Sequence, residues 1–352
     1  MKSLFDPAGV VVIGASRQGG KLGASMARSL AGFPAGRALV NSRDPGPGVY
    51  ASVAEAAENA KLDLAVLCVP AAACAGAVRE AAAVGVSAAL VCAGGFGEIG
   101  EAGHAAESEL RQAIVDTGVR LLGPNTSGFL VPRRGLTASF VPGVVDVPAG
   151  DIAVVAASGG VNHALCFELA NAGNGISLGV GIGAGLDVTA ADVLDYLADD
   201  PDTTAVVLHL ETVPDGARLV AAIRQLSAVK PVVALVVGRT DVGDFARSHT
   251  GALATSWRTT RAVIRQAGAV VVDTERELVD AVTALSRIRL RPSTDPGVGV
   301  VTAQAGPGLL LVDRLGAAGI GAPELTAGTQ RRLAELLPPM TYQRNPVDTG
   351  RP

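Results

Sequence analysis

Val10-Val11-Val12-Ile13-Gly14-Ala15-Ser16-Arg17-Gln18-Gly19-Gly20-Lys21-Leu22-Gly23 is the stretch that decides the fold class of this 352-residue chain. Four β-branched residues ending at a glycine have the pattern of a strand buried on both faces. Gly14 permits a tight turn, Gly19 and Gly20 expose backbone N–H groups, and the helix behind them presents a terminus that favours an anionic pyrophosphate. Outward from it, Arg37–Asn41, Leu62–Val69, Ala88–Cys92 and Arg120–Leu122 repeat the strand pattern, with helical segments near 22–31, 52–59, 72–84 and 101–117. That rhythm predicts a doubly wound α/β domain. It closes near Gly135–Gly150, where Pro142, Gly143, Pro148 and Gly150 read as a linker.

A second α/β series follows, with strands at Ile152–Ala156, Ser177–Ile182, Ala205–Leu210, Val232–Val237 and Ala269–Val272. Its helices fall near 160–172, 189–198, 215–227, 257–267 and 275–289. After a Pro-rich stretch at 291–297, a third strand–loop–helix unit begins at Val298–Thr302. The expected organisation is therefore residues 1–135, 150–291 and 297–352, the last reading as a shortened unit, since an α/β domain is usually nearer 100 residues.

Composition narrows the function. Apolar residues make up 49% of the chain and aromatics only 3%, so the interior must be built from Ala, Val, Leu and Ile. A net charge of −4 without a basic run argues against nucleic acid. The longest apolar runs, Asp151–Ala157 and Thr204–Leu210, have strand length, and the first residues lack a signal-peptide core. A cytoplasmic protein without a membrane span is expected. Cys68, Cys74, Cys92 and Cys166 show no metal-ligand spacing and read as reduced buried thiols.

The first glycine turn is not a Walker A loop, because five residues separate Gly14 from Gly20 and Leu22 follows Lys21. It suits a dinucleotide or a related ADP-containing ligand. At the end of the second strand an NAD site wants an acidic residue; this chain has Asn41-Ser42-Arg43, and Arg43 suits a ribose phosphate, as in NADP or coenzyme A. Cys68-Val69-Pro70-Ala71 and Gly94-Gly95-Phe96-Gly97-Glu98 extend a row of small-residue strand ends with room for a long ligand. Gly123-Pro124-Asn125-Thr126-Ser127-Gly128 adds a turn whose Asn125 can bond locally or to a ligand amide. Ala156-Ala157-Ser158-Gly159-Gly160 opens the second series' first helix straight after a strand, a second anion site with Ser158 as a donor.

Ser248-His249-Thr250-Gly251-Ala252 follows the buried strand pattern of Pro231–Gly238. A neutral imidazole can attack phosphorus and release the phosphoryl group again; taken alone, such a histidine reads first as one that caps or hydrogen-bonds its loop, and the rest of the sequence reverses that. Glu211, after His209-Leu210, can accept from one nitrogen of His249 so that the other attacks. His163 and His209 lie in helix and strand patterns and read as structural, His104 as solvated.

Taken in order, these segments resemble the NDP-forming (ADP-forming) acyl-CoA synthetase family, similar to the succinyl-CoA synthetase α subunit. The likeness rests on Val12-Ile13-Gly14-Ala15-Ser16, Gly20-Lys21-Leu22-Gly23, Val69-Pro70-Ala71, Gly95-Phe96-Gly97-Glu98 and Gly123-Pro124-Asn125. It continues through Ser158-Gly159, Tyr196–Pro201, Glu211, Ser248–Ala254 and Asn345-Pro346-Val347-Asp348. The resemblance implies a Rossmann-like coenzyme A-binding domain, then a succinyl-CoA-ligase-type flavodoxin-like domain carrying the phosphohistidine loop, then the start of a third flavodoxin-like domain. It implies that Gly14, Ala15, Ser16, Gly20, Lys21, Gly23, Asn41, Arg43, Val69, Pro70, Gly95, Phe96 and Asn125 surround coenzyme A. It gives His249 the phosphoryl group, Glu211 the orienting role, and Ser158, Gly159 and Gly160 the receiving cradle, with no resident metal site. It also implies ATP and Mg2+, a small carboxylic acid substrate, an ATP-grasp subunit or domain that this sequence lacks, and an oligomer.

Departures stand beside the likeness. Ala156-Ala157-Ser158-Gly159 replaces Ser-Gln-Ser-Gly, Gly183-Ala184-Gly185 replaces a Gly-Asn-Lys-type loop although Asp187 remains, and Asn41-Ser42 replaces Asn-Pro. Three readings stay open on the sequence: the ligase part, a coenzyme A-binding regulatory or scaffolding module without turnover, and, motivated by Arg43, an NADP-dependent dehydrogenase.

Overall fold

The computed structural model describes residues 1–239, 256–288, 293–339 and 342–350. The chain divides into two compact units, Met1–Ile288 and Arg289–Pro352.

The first unit contains two sheets. In one, β1 (Val10–Ile13), β2 (Arg37–Val40), β3 (Leu64–Leu67), β4 (Ala88–Val91) and β5 (Arg120–Leu122) are all parallel, in the order β2-β1-β3-β4-β5. Val12 pairs with Leu39 on one side and Val66 on the other. Every residue of β1, β3 and β4 is buried, which is why these strands read as unbroken apolar runs. Alternate side chains feed separate cores. Val10 and Val12 join a cluster with Met26 of α2 (Leu22–Ser29), whereas Val11 and Ile13 join Cys74 and Val78 of α4 (Ala71–Ala83) and Leu110 of α5 (Glu101–Thr117).

The second sheet has seven strands, β6 (Gly128–Val131), β7 (Leu136–Ser139), β8 (Ala149–Ala156), β9 (Ile176–Gly181), β10 (Ala205–Leu210), β11 (Val232–Val236) and β12 (Val270–Val272), in the order β12-β11-β10-β8-β9-β6-β7. Its five parallel strands repeat the order of the first sheet, with β8 in the place of β1. Both have the flavodoxin-type 2-1-3-4-5 order, which puts a switch point beside the first strand of each. Helices α6 (Gly159–Asn171), α7 (Ala190–Asp199) and α8 (Gly216–Ser227) follow β8, β9 and β10.

Gly135–Gly150 is not the linker that its glycines and prolines suggest. Residues 136–139 form β7, which pairs antiparallel with β6, and β6 pairs antiparallel with β9. Pro132-Arg133-Arg134 makes the one-turn connection and Gly135 ends it at φ 62°. Two four-residue strands around a charged, proline-started turn carry too little periodicity to be read as a hairpin.

The sheets are sewn together along a seam. Loop 183–188 donates to the end of the first sheet: Ala184 N to Pro124 O (2.9 Å), Leu186 N to Gly123 O (3.1 Å) and Val188 N to Leu121 O (3.0 Å). Asp187 locks it by accepting from Arg120 Nε (2.9 Å) and Leu121 N (2.7 Å). Phe5 packs edge-on to Phe129 at 5.3 Å and against Tyr196, within a core shared by both sheets.

In the second unit, the strand pattern at Val298–Thr302 yields only Val301–Thr302, parallel to Val347–Asp348. Asn345 is its hub: its amide donates to Val298 O and Pro323 O, and its carbonyl accepts from Val300 N. Among the described residues, no helix is long and apolar enough to cross a membrane.

Candidate functional site

At the first switch point the strand-to-helix turn is shaped by close approach. A Cβ on Gly14 would lie 2.6 Å from Cys68 O, and one on Gly23 only 2.0 Å from Gly14 O. Glycine is therefore required for the turn and for seating α2 on β1. Gly19 and Gly20 are different. A Cβ on either meets nothing within 4 Å, and Gly20 has φ +81°. The turn's outer side is open, with Lys21 and Arg43 exposed beside it. This shape fits a phosphate-bearing coenzyme.

Ala15 is buried, and Asn41 fixes it by donating to its carbonyl (2.7 Å) while accepting from the N–H groups of Arg43 and Asp44. The amide of Asn41 thus shapes the cradle. Ser16 Oγ likewise accepts from Gln18 N. Val69 is half-buried and Pro70 exposed at the end of β3. Phe96, expected among the coenzyme contacts, is fully buried in the core beneath α4 and α5, so only its backbone is available. That backbone is engaged: Glu98 accepts from Gly95 N and Phe96 N, and Glu107 from Gly97 N. These carboxylates occupy the N–H groups of the glycine-rich loop, a feature the sequence reading missed.

At the second switch point Ser158 caps α6, accepting weakly from Val161 N (3.5 Å). Gly159 is buried: a Cβ there would lie 2.4 Å from Ser127 N. Of the three residues expected to form a cradle, Ser158 is half-buried and Gly160 exposed, while Gly159 lets the helix start press against Ser127. The next strand end, after β10, carries half-buried Glu211. Asn125, Ser158, Gly159 and Glu211 line one cavity of about 480 Å³, together with Glu98 and loop 183–186. The cavity therefore joins the loops of the first sheet to the switch point of the second. Gly14, Gly20 and Arg43 are not in its lining. His249 lies outside the described residues.

Two other histidines show what burial does. His163 Nδ1 lies 2.7 Å from Gly159 O, which can only accept, so Nδ1 carries the proton; Nε2 then accepts from Ser139 Oγ at 2.9 Å. Burial lowers its pKa, partly offset by the Gly159 carbonyl. It is structural, as its helical position suggested, and it ties β7 to the first turn of α6. His209 is only 2% exposed, and its Nδ1 is buried with no hydrogen-bond partner among the described residues. Burial pushes its pKa down to about 4, against a smaller opposing pull from Glu275. His209 lines a second cavity of about 250 Å³, adjacent to the first. Strand position alone marked it as structural; only the orphaned nitrogen distinguishes it. His104 is exposed.

Cys74, Cys92 and Cys166 are buried, Cys68 half-buried, and all four are free. Burial pushes the Cys68 and Cys74 thiols up to about 12, which leaves them inert.

Residues 9–132 match the model of the CoA binding domain, and residues 149–285 that of the succinyl-CoA ligase like flavodoxin domain. The chain is 32% identical over 350 residues to the acetate–CoA ligase [ADP-forming] II subunit alpha of Pyrococcus furiosus, covering 98% of itself and 75% of that protein. It is 29% identical over 354 residues to the 4-hydroxybutyrate–CoA ligase [ADP-forming] of Nitrosopumilus maritimus, covering 98% of itself and 50% of that protein. Among solved structures, it is similar to the dinucleotide-forming acetyl-coenzyme A synthetase 1 of Ca. Korarchaeum cryptofilum in complex with phosphate and ADP. That likeness has a TM-score of 0.89 at 29% identity and covers 99% of this chain and 75% of the other.

Proposed function

This chain belongs to the ADP-forming acyl-CoA synthetases, and from that premise we propose that it is the coenzyme A-binding, phosphohistidine-bearing part of such a ligase. One observation carries the reading: Ser158, Glu211 and Asn125 share a single cavity where the two sheets' site-bearing loops meet. Phosphate chemistry at the second switch point can therefore reach a coenzyme laid along the first sheet.

Three displacements follow. His249 attacks the γ-phosphorus of ATP; an N–P bond forms and ADP leaves. A carboxylate oxygen of the acid then attacks that phosphorus, the N–P bond breaks, and an acyl phosphate results. The thiolate of coenzyme A attacks the acyl carbon and phosphate departs, leaving the thioester. Glu211 fixes the tautomer of His249 by accepting from the N–H of one ring nitrogen, so the other is the nucleophile. The free N–H groups at Ser158–Gly160 hold the transferred phosphoryl group, reinforced by the positive end of α6. Gly20, Lys21 and Arg43 hold the pyrophosphate and ribose phosphate of coenzyme A, on the turn that Gly14 shapes.

ATP, with its Mg2+, belongs to an ATP-grasp module supplied by a partner subunit or domain, and the working enzyme is an oligomer. Four free cysteines support a reducing, cytoplasmic setting. Incubation of chain and ATP-grasp partner with γ-labelled ATP should give an acid-labile, base-stable phosphoryl group, lost in His249→Ala. Equal labelling of His249→Ala and wild type would overturn the assignment.

A further inference from the structure

The cavity containing His209 shares Ala157, Gly183, Ala184, Gly185, Thr212 and Pro214 with the cavity of Ser158 and Glu211, so the two are neighbours. Their chemistry differs. The smaller is bounded by Ile182, Ala190, Ala191, Leu210, Val213 and Leu219, and its surface is mainly apolar. Its polar residues are largely spent on one another. Thr189 and Asp192 bond reciprocally as the cap of α7, Arg218 pairs with Asp195 and lies 3.6 Å from Asp192, and Asp215 caps α8 through Arg218 N. What remains of the lining is mostly hydrocarbon, with Thr212 and the edge of the His209 ring. Such a pocket rejects phosphate and the charged parts of coenzyme A, and suits an aliphatic group.

We propose that this cavity is the acyl-chain pocket, taking the hydrocarbon tail of an aliphatic monocarboxylic acid while the carboxylate faces the start of α6 at Ser158. This rests on the ligase reading above and extends it to the substrate. At about 30 Å³ for each water-sized volume, 250 Å³ holds roughly eight non-hydrogen atoms. Acetate underfills it, and with the carboxylate outside, the tails of straight or singly branched acids of four to eight carbons fit. Ala190, half-buried at the first turn of α7, and Val213, on the loop before α8, are the residues whose size sets its capacity.

The test measures kcat/KM of the chain with its ATP-grasp partner on acetate, butyrate, hexanoate and octanoate, alongside labelling from ATP. Wild type should favour butyrate or hexanoate over acetate by about tenfold or more. Ala190→Leu should lower hexanoate kcat/KM about tenfold while moving acetate less than about threefold, and Val213→Ala should shift the optimum to a longer acid. A flat chain-length profile, or equal losses on all acids in Ala190→Leu, would overturn the pocket even with His249 fully labelled. Absence of labelling in wild type defeats the ligase reading instead. Thermal protection of the chain alone by hexanoate then decides the pocket: protection lost in Ala190→Leu supports it, and none at tens of millimolar acid ends it.

Discussion

The two switch points have the same strand order and the same strand–glycine–helix device, yet they are packed differently. At the first, Gly19 and Gly20 face open space, and the close-packed glycines, Gly14 and Gly23, lie beneath them. At the second, the glycine that opens the helix is itself the packed one, pressed on Ser127, and its carbonyl is tied to a buried histidine. An open turn accepts a long ligand running past it. A turn anchored from behind can present only a small, fixed set of donors, which suits a single phosphoryl group. Topology therefore locates both sites, and the burial of one glycine tells them apart.

Filling the anchored turn should do the most damage. Gly159→Ala puts a methyl 2.4 Å from Ser127 N, backbone that cannot swing away. Overpacking of this kind should cost about 3 kcal/mol in urea unfolding, well beyond the ~1 kcal/mol that alanine gains over glycine in a helix. A cost near zero would mean the two turns are equally loose.

Acid should act on the second sheet's side of the comparison at nearly the same size. An imidazole titrates near 6.5 when free, and His209 near 4 in the fold. Between those values the unfolded chain binds the extra proton, so stability is whole above about pH 6.5, declines as pH falls, and levels off below about 4. The loss amounts to about 3 kcal/mol. His209→Leu should flatten that part of the pH–stability curve; an unchanged slope would exonerate the residue.

Smaller effects complete the contrast. Ser158→Ala should lower stability by about 0.5 kcal/mol, the low end for a cap, since the bond it removes is 3.5 Å long. The same variant should slow phosphoryl transfer to the acid. Gly19→Ala, in open space, should leave the melting temperature within experimental error while weakening coenzyme A binding severalfold by calorimetry. Should Gly19→Ala unfold the protein, the first turn would be as anchored as the second.

Much of this was legible in the residues. Strands buried on both faces have no alternation to misread, so Val10–Ile13 and Ala205–Leu210 were found nearly to the residue. The β6–β7 hairpin was not, because Pro132-Arg133-Arg134 between two short runs has a loop's chemistry. The opening glycines announced both helix starts, but their difference depends on Ser127, distant in sequence from Gly14 and set against Gly159 only by the fold. The burial of the Phe96 ring is hidden for a related reason: a motif fixes the backbone path of Gly95-Phe96-Gly97 and says nothing of which way the ring turns. The orphaned nitrogen of His209 had no signal in the sequence, since partnerlessness belongs to three dimensions.

The seam of loop 183–188 against residues 121–124 acts as a ruler between the workplaces of the molecule. Its rungs are main-chain bonds in register, pinned by Asp187, so the gap it measures cannot be altered by exchanging side chains. Only adding or deleting a residue would change it, and a single such step would shift Asp187 off Arg120 and misalign every rung beyond. Diversification of such a protein is thereby steered toward what lines its pockets, while the span between the two sheets' loops stays constant.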